Sequence, residues 1–340
     1  VHYGETTVET DDKNIFTQLL SGLSCLLIDG YDRVILIDCR TYPARGVSEP
    51  EKDKVMRGSR DGFVETLVFN TALIRRRIRD PKLIMEILTA GESSHTDIAM
   101  CYMEGRADKK LIEKIRKRIQ TVEVDALSMN QESLAECIFP GKWFNPFPKF
   151  KFSERPDTSA ASILEGNIVI LVDNSPSAMI LPSSVFDIIE EADDYYFPPV
   201  TGTYLRLSRM LISLLSMLLT PTWLMLMQNT ELIPQWLRFI RLSDPCNIPL
   251  IWQLLILEFA IDGLRLAAVN TPNMLTTPLS VIAGIVLGEY AVESGWFNSE
   301  TMLYMAFVTI ANYSQASFEL GYAMKFMRII ILICTAIFNI

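Results

Sequence analysis

The sequence contains only two histidines, His2 in a polar, acidic amino-terminal arm and His95 beside an apolar stretch. With so few, it offers no credible Ser-His-Asp or Cys-His catalytic set and no zinc-ligand set. The phosphate-binding glycine motifs GxxxxGK[ST] and GxGxxG are also absent. We therefore predict no catalytic residues, no metal site and no cofactor, and expect that the chain is not an enzyme.

Cysteine pairs and long basic faces are missing as well. The six cysteines lie far apart, without a CxxC or a metal-ligand spacing, which is weak evidence for disulfides in a chain of this size. We therefore expect a reduced, cytoplasmic soluble part. The formal net charge is −9, whereas a protein that binds nucleic acid needs a basic face. Nucleic acid is therefore excluded as a partner.

Charge becomes scarce in the last part of the chain. The sequence holds 31 Lys and Arg and 40 Asp and Glu, but only 15 of these residues follow Val200. A shift of this kind indicates a change of solvent from water to lipid. We predict a transmembrane helical domain over residues 201–340, with the lipid bilayer as a partner.

The residues before 200 alternate between strand-like and helix-like apolar patterns, which is typical of an α/β fold. The patterns predict a hairpin from residues 24–28 and 33–39, a long helix over 61–79 and a short strand over 122–127. A segment rich in Pro and aromatic residues, 139–152, interrupts the alternation. We therefore predict two small α/β subdomains, residues 1–140 and 141–200.

Residues 211–227 carry no charge and are close to the shortest stretch that spans about 30 Å of hydrocarbon. Arg206 and Arg209 precede this stretch, which favours a cytoplasmic amino-terminal part by the positive-inside rule, although Arg238 and Arg241 after it oppose that orientation. Four further apolar segments predict an all-α, multi-pass domain: residues 248–268, 279–288, 302–318 and 329–338. The chain begins without Met and ends inside the last segment, so we expect a piece of a longer protein whose membrane domain is incomplete at its carboxyl end.

One apolar segment carries Glu258, Asp262 and Arg265, whose spacing of four and three places them on one stripe of a helix. An ionisable group in mid-membrane costs at least about 3 kcal/mol and usually marks function. The stripe is interpreted either as the lining of an ion path or subunit interface, or as the polar face of a helix along the membrane surface. Pro249 and Gly263 also fit the second interpretation.

Three more carboxylates lie near the ends of apolar segments. Glu289 and Glu293 close one segment, and Glu319 stands between two others. Each is interpreted either as a further residue of the ion path or as a solvated carboxylate at the membrane surface.

The acidic amino-terminal part contains a basic island. Cations at the end of a helix stabilise its dipole, and the alternative is a contact with a neighbouring subunit or with anionic lipid. The residues alone leave these alternatives open. The island consists of Arg57, Arg60, Arg75, Arg76, Arg77 and Arg79.

Five motifs stand out along the chain: YPARGVSEPE at 42–51, RGSRDGFVETL at 57–67, NTALIRRRIR at 70–79, SVIAGIVLGEYAVES at 280–294 and FELG at 318–321. Together they resemble a known family, the A subunits of GerA-type spore germinant receptors. The similarity covers essentially the whole chain.

The resemblance implies a cytoplasmic domain of two subdomains, a multi-pass domain in the spore inner membrane and a role in early ion release during germination. It also implies a ring of A subunits around a path for monovalent cations, with a second membrane-protein partner and other germination receptors. Because every subunit of such a ring would carry the basic island, we predict that the island contacts a neighbouring subunit. Two other classes stay open on the residues alone. One is a solute carrier whose broken helices near Pro249 and Pro278 hold a substrate at mid-membrane. The other is a non-conducting membrane scaffold.

Overall fold

The structure is a computed structural model that describes residues 6–38, 45–50, 53–140, 144–245, 247–271, 277 and 281–338. Pro278, part of the motif at 42–51 and the beginning of the predicted segment 279–288 lie outside these ranges. The chain divides into two compact units, residues 1–46 and 47–340.

The first unit contains a three-stranded antiparallel sheet in the order β1-β3-β2 and one helix. Its hairpin is confirmed, since Cys25 pairs with Leu36 in register. Gly30 occupies the turn with a φ of 85°, a backbone conformation that glycine adopts without steric cost. The elements are β1 (Thr6–Glu9), α1 (Asp12–Leu20), β2 (Ser24–Leu27) and β3 (Val34–Ile37).

The second unit begins with a five-stranded sheet in the order β4-β5-β7-β8-β6, in which all neighbours are antiparallel. Its strands come from both sides of residue 140, so the predicted subdomains 1–140 and 141–200 share one sheet. The Pro- and aromatic-rich segment 139–152, which was predicted to separate the two subdomains, leads into the edge strand β6. The strands are β4 (Leu83–Ala90), β5 (Thr96–Met103), β6 (Lys151–Ser153), β7 (Ile168–Val172) and β8 (Ala178–Leu181).

Helices cover both faces of this sheet. Along β5, Ile98 and Met100 join a core with α3 and α4, whereas Ala99 and Cys101 join a second core with α2 and α5, as the two-residue period of a strand requires. The α/β character of the amino-terminal region is therefore confirmed. The helices are α2 (Leu67–Arg77), α3 (Lys109–Gln120), α4 (Gln131–Ile138), α5 (Pro156–Glu165), α6 (Val185–Ile189) and α7 (Asp193–Tyr196).

Two predicted elements differ from the structure because backbone groups find other partners. The helix predicted over 61–79 begins only at Leu67, since the Phe63 amide donates to the Glu154 carbonyl and the Asn70 side chain bonds both backbone groups of Val64. The strand predicted over 122–127 is an irregular segment. Its Val124 carbonyl accepts from a neighbouring turn.

The rest of the second unit is helical. Among the described residues, two helices, α8 and α11, are long and apolar enough to cross a membrane. The helix α9 carries the three charges of the predicted stripe. The long helices are α8 (Pro199–Gln228), α9 (Leu250–Asn270), α10 (Ser299–Tyr313) and α11 (Phe318–Phe338), with short 3₁₀ helices at Thr230–Leu232 and Gln235–Ile240 and a π-helix at Ile285–Tyr290 that continues as Ala291–Glu293.

Helices α8 and α11 run in one direction, and α9 and α10 run in the opposite direction. At the end of α8, the Gln253 side chain near the start of α9 donates to Asn298, which caps α10, at 2.8 Å. At the opposite end, Ser213 of α8 donates to Gln315 in the turn between α10 and α11 at 2.8 Å. Leu320 of α11 packs there against Ile189 of α6. Helices α8 and α11 therefore both start next to the five-stranded sheet and the helices that cover it. We call this part of the second unit, residues 47–198, the sheet-containing region.

Candidate functional site

A buried ion pair joins α9 to α11. Arg328 donates from Nε to Glu258 Oε1 at 2.5 Å and from Nη2 to Oε2 at 2.9 Å, a bidentate geometry. Its third donor, Nη1, reaches the backbone carbonyl of Ser216 in α8 at 2.5 Å. Glu258 is 4% exposed and Arg328 is 2% exposed. The guanidinium thus ties three helices together.

Lys325 completes the arrangement one turn earlier on α11. Its Nζ lies 2.5 Å from Asp262 Oδ2, 3.2 Å from Glu258 Oε2 and 3.1 Å from the Glu258 carbonyl oxygen. Two carboxylates four residues apart on α9 therefore face two cations three residues apart on α11. We call Glu258, Asp262, Lys325 and Arg328 the charge cluster. It is electrically neutral, which is the condition under which charges are tolerated in a protein interior.

The contact with Ser216 gives the depth of the charge cluster along α8. At about 1.5 Å per residue, Ser216 lies about 10 Å beyond Arg209 and about 18 Å before Gln228. Arg209 is held in an acidic group at the start of the helix. In a helix that spans about 30 Å of hydrocarbon, these distances place Ser216 inside the span, about a third of the way along it from Arg209.

Arg265, the third residue of the predicted stripe, has different neighbours. Its guanidinium lies 4.9 Å from the ring centre of Tyr313 and 5.1 Å from those of Phe318 and Tyr322. Such cation–π contacts stabilise a cation that has left water. Arg265 therefore binds an aromatic cage formed by α10 and α11.

A small cavity of about 10 Å³ adjoins the charge cluster, which is room for about one water molecule. Asp262, Lys325, Thr309 and Asn312 contribute to its wall. The Oδ1 atom of Asn312 is buried and has no hydrogen-bond partner within the described ranges. This cavity by itself is therefore too small to form a continuous water-filled path.

The other predicted carboxylates lie elsewhere. Glu289 is exposed on the π-helix, and Glu293 is exposed on the turn that follows it. Glu319 is exposed in the first turn of α11, about 9 Å along the helix from Lys325. The structure thus brings Glu258 and Asp262 together and leaves these three apart.

The basic island splits into two groups. Arg76 and Arg77 both pair with Asp61 at 2.5 Å. Arg75 donates to the Leu83 carbonyl at 2.9 Å, and Arg79 donates to the Arg76 carbonyl. These four side chains hold the carboxyl end of α2 to its surroundings.

Arg57 and Arg60 form the second group. Both are exposed, and neither pairs with a carboxylate in the part of the chain that the structure describes. They are therefore the members of the basic island that remain available for an outside partner.

A second charged network lies at the junction of the sheet-containing region and α8. Arg209 contacts Glu191 and Asp194, each at 2.6 Å, and Arg206 lies 3.5 Å from Glu190. Burial raises the pKa of Glu191, although Arg209 opposes that shift. The first turns of α8 are thus fixed to α7 and the segment before it.

The loop of the RGSRDG motif is fastened to the same junction. Arg155, which is 1% exposed, donates to Asp157 and to the Ser59 carbonyl, and the Tyr196 hydroxyl also donates to Asp157. Burial alone would raise the pKa of Asp157, but these two donors outweigh it and hold the pKa below its ordinary value. Gly58 lies directly against the Tyr196 ring, where no side chain would fit.

Lys325 and Arg328 were not predicted from the sequence. Apolar content set the bounds of the predicted membrane segment at residues 329–338. The prediction therefore left out the first part of α11, which carries both cations. The available signal was two cations three residues apart within a long apolar stretch. Such cations need a carboxylate partner at the same depth, and Glu258 and Asp262 were the candidates.

The whole chain matches a known family, since the family model described as Bacillus/Clostridium GerA spore germination protein covers residues 1–340. The chain is 40% identical over 336 residues to stage V sporulation protein AF of Bacillus subtilis (strain 168), covering 99% of this chain and 67% of the relative. Its identity to this chain is higher than that of the two other relatives described below. This chain is also 29% identical over 336 residues to spore germination protein A1 of Bacillus subtilis (strain 168), covering 98% of this chain and 69% of that protein.

Spore germination protein KA of Bacillus subtilis (strain 168) is 27% identical over 337 residues, covering 98% of this chain and 62% of the relative. The chain thus spans about two thirds of the length of these relatives. A solved structure, the N-terminal domain of the A subunit of the Bacillus megaterium spore germinant receptor GerK3, is 30% identical and covers 53% of this chain and 64% of that one. Its TM-score is 0.30, so the superposition carries no argument about the fold.

Proposed function

The chain belongs to the GerA family of spore germination proteins, and from that premise we propose that it is a subunit of an oligomeric, ion-releasing complex of the spore inner membrane. Its relatives support a role in germination, and its two apolar helices support a membrane location. The observation that carries the ion-releasing part is the buried charge cluster, which contacts α8 at Ser216, inside the span of that helix.

Ionisable side chains are rare inside membranes because each costs several kcal/mol to bury, and they are retained mainly where ions or protons move. A purely structural contact between α9 and α11 would be served as well by apolar residues of similar volume. In the proposed function, Glu258 and Asp262 provide the negative charge that monovalent cations follow. Lys325 and Arg328 neutralise this charge while the path is closed.

The small cavity favours a path shared by several copies or opened by helix movement. Asp262 is the member of the charge cluster with the most exposed side chain, at 31%, so it is the carboxylate that such a path would reach first. We propose a ring of copies around the path, together with a second membrane protein and other germination receptors as partners. The sheet-containing region would lie in the cytoplasm, with Arg206 and Arg209 at the membrane entrance.

The double variant Glu258→Gln, Asp262→Asn is expected to lower potassium and sodium efflux from liposomes that contain the full-length protein. A unit charge at 4 Å contributes about 4 kcal/mol at an effective dielectric constant of 20, so a reduction of at least about tenfold is expected. Efflux would be measured with ion-selective electrodes, with and without the membrane partner. The matched control, Glu104→Gln with Glu113→Gln, removes the same charge from exposed positions of the sheet-containing region and should leave efflux unchanged. Equal efflux from the cluster variant and wild type would contradict the proposal.

The predicted subunit contact is best tested at Arg57 and Arg60, because reversing Arg76 and Arg77 would also break their pairs with Asp61. The variant Arg57→Glu, Arg60→Glu is expected to convert the oligomer in detergent to smaller species, as measured by native mass spectrometry. Its control, Lys109→Glu with Lys110→Glu, makes the same charge change in the first turn of α3, where acidic residues suit the helix dipole. An unchanged oligomer in the arginine variant would rule out this surface as the contact.

A further inference from the structure

The Lys325 ammonium lies in a site made of oxygen atoms. Its three close neighbours are Asp262 Oδ2 at 2.5 Å, the Glu258 carbonyl oxygen at 3.1 Å and Glu258 Oε2 at 3.2 Å. Two carboxylate oxygens and one backbone carbonyl are also the ligand types that bind alkali-metal cations. An ammonium group and a potassium ion carry the same charge and are similar in size. The lysine therefore occupies a position in which a monovalent cation would be coordinated.

A fourth oxygen lies at the edge of the same site. Asn312 Oδ1 is buried beside the small cavity and has no hydrogen-bond partner among the described residues. A buried acceptor without a donor is costly, and a cation or its water in the cavity would remove that cost. The cavity also borders Asp262, whose side chain is partly exposed. The site can thus be reached without dismantling the core around Glu258.

The charge balance decides when a cation can bind there. With Lys325 in place the charge cluster is neutral, and Arg265 adds a positive charge to the wall of the same cavity. A further cation would leave excess positive charge in a buried site, which is unfavourable. If the ammonium withdraws, the charge cluster keeps two carboxylates and one guanidinium, which is a net charge of −1. The Arg265 guanidinium lies over three aromatic rings and pairs with neither carboxylate among the described residues, so the oxygen site attracts a cation.

We propose that Lys325 is a tethered competitor that keeps a monovalent-cation site closed. The coordinating groups of that site are the carboxylates of Glu258 and Asp262, the Glu258 carbonyl and the amide oxygen of Asn312. The ion that binds is an alkali-metal cation such as potassium. Arg328 does not compete, because its guanidinium is fixed by the bidentate pair and by the Ser216 carbonyl. The role of the site in ion release rests on the proposed function, whereas its existence does not.

The test uses the full-length protein in detergent with the variant Lys325→Met, which keeps most of the length of the side chain and removes the ammonium. Thermal unfolding is compared in potassium chloride and in choline chloride at equal ionic strength, because choline is too large for the site. The midpoint of the variant is expected to rise by about 2–4 °C or more in potassium. Wild type, and Lys325→Met combined with Asp262→Asn, should show no such difference.

Two results would overturn the inference. One is an equal midpoint of Lys325→Met in both salts, and the other is a potassium effect of the same size in wild type. If the variant does not fold in choline chloride, the readout becomes the yield of folded protein purified in potassium chloride. Recovery in potassium would then support the site, and failure to recover in any small cation would contradict it.

The outcome is separable from that of the efflux experiment. A potassium-dependent midpoint without efflux from liposomes would retain the cation site and remove the conducting role. Efflux that depends on Glu258 and Asp262, without any potassium effect on Lys325→Met, would retain conduction and remove the tethered competitor.

Discussion

Replacing Arg328 by Met is expected to destabilise the helical part by about 3–5 kcal/mol, since Lys325 alone cannot neutralise both Glu258 and Asp262 and one buried negative charge is left uncompensated. The loss of stability comes mainly from leaving a buried negative charge uncompensated, and less from losing the energy of the ion pair itself. The Ser216 carbonyl also loses its side-chain donor. Unfolding of the full-length protein in detergent, followed by circular dichroism, measures the change.

A double variant separates these two effects. Arg328→Met combined with Glu258→Gln removes both charges of the pair and leaves Lys325 to neutralise Asp262. Most of the lost stability is expected to return, so the two substitutions should be strongly non-additive. If the double variant is as unstable as the sum of the single variants, the charge pair is not the reason for the loss.

An exposed arginine provides the control for the substitution itself. Arg238 lies on the short 3₁₀ helix after α8 and is exposed. Arg238→Met should change stability by no more than about 0.5 kcal/mol, as is usual for surface positions. A large effect at Arg238 would mean that the method responds to a general change in detergent binding.

The acidic half of the charge cluster could be predicted from sequence, because Glu258 and Asp262 stand out within an apolar segment at helical spacing. The basic half was missed for a physical reason. Lys325 and Arg328 themselves interrupt the apolar pattern, so the membrane segment was predicted to start directly after them, at residue 329, whereas the helix starts at Phe318. Pairing across helices depends on tertiary packing, which a one-dimensional pattern does not contain.

Strands β4, β5, β7 and β8 are short apolar runs bounded by turns, the pattern that predicts strands. The single sheet that they form was not predicted. Its two parts are joined by the pairing of β7 with β5, and strand β6 has only three residues and depends on pairing with β8; such pairings are tertiary contacts that no strand's own sequence indicates. The start of α2 was also mispredicted, because the Asn70 side chain replaces the helical bonds of Val64.

Gly202→Ala is expected to destabilise the junction by about 1–3 kcal/mol, the usual cost of forcing an extra methyl group into a packed contact. A Cβ atom at this position would overlap the backbone carbonyl oxygen of Asp194. That carbonyl has little freedom to move, because the Asp194 side chain is buried and paired with Arg209 of the same helix α8. The clash must therefore push α7 away from α8.

Helix propensity alone predicts the opposite sign. Alanine is favoured over glycine inside a helix by about 1 kcal/mol, so the substitution would stabilise α8 if space were available. Gly263 of α9 supplies this comparison, since a Cβ atom there meets nothing within 4 Å. Gly263→Ala is expected to raise the midpoint of thermal unfolding slightly, whereas Gly202→Ala should lower it.

The sign of the difference in unfolding midpoint between Gly202→Ala and Gly263→Ala tests whether the sheet-containing region packs tightly against α8. Asp194 and Tyr196 belong to the same short helix, and Tyr196 binds the loop of the RGSRDG motif through Asp157. A push of α7 by the added methyl group would therefore be felt at that loop, and proteolysis near Arg57 and Arg60 should become faster in Gly202→Ala than in Gly263→Ala. If Gly202→Ala is stabilising and the loop is cleaved at the wild-type rate, the close contact between Gly202 and Asp194 does not exist in the protein. In that case, a movement of the loop would not reach α8 through the contact between Gly202 and Asp194.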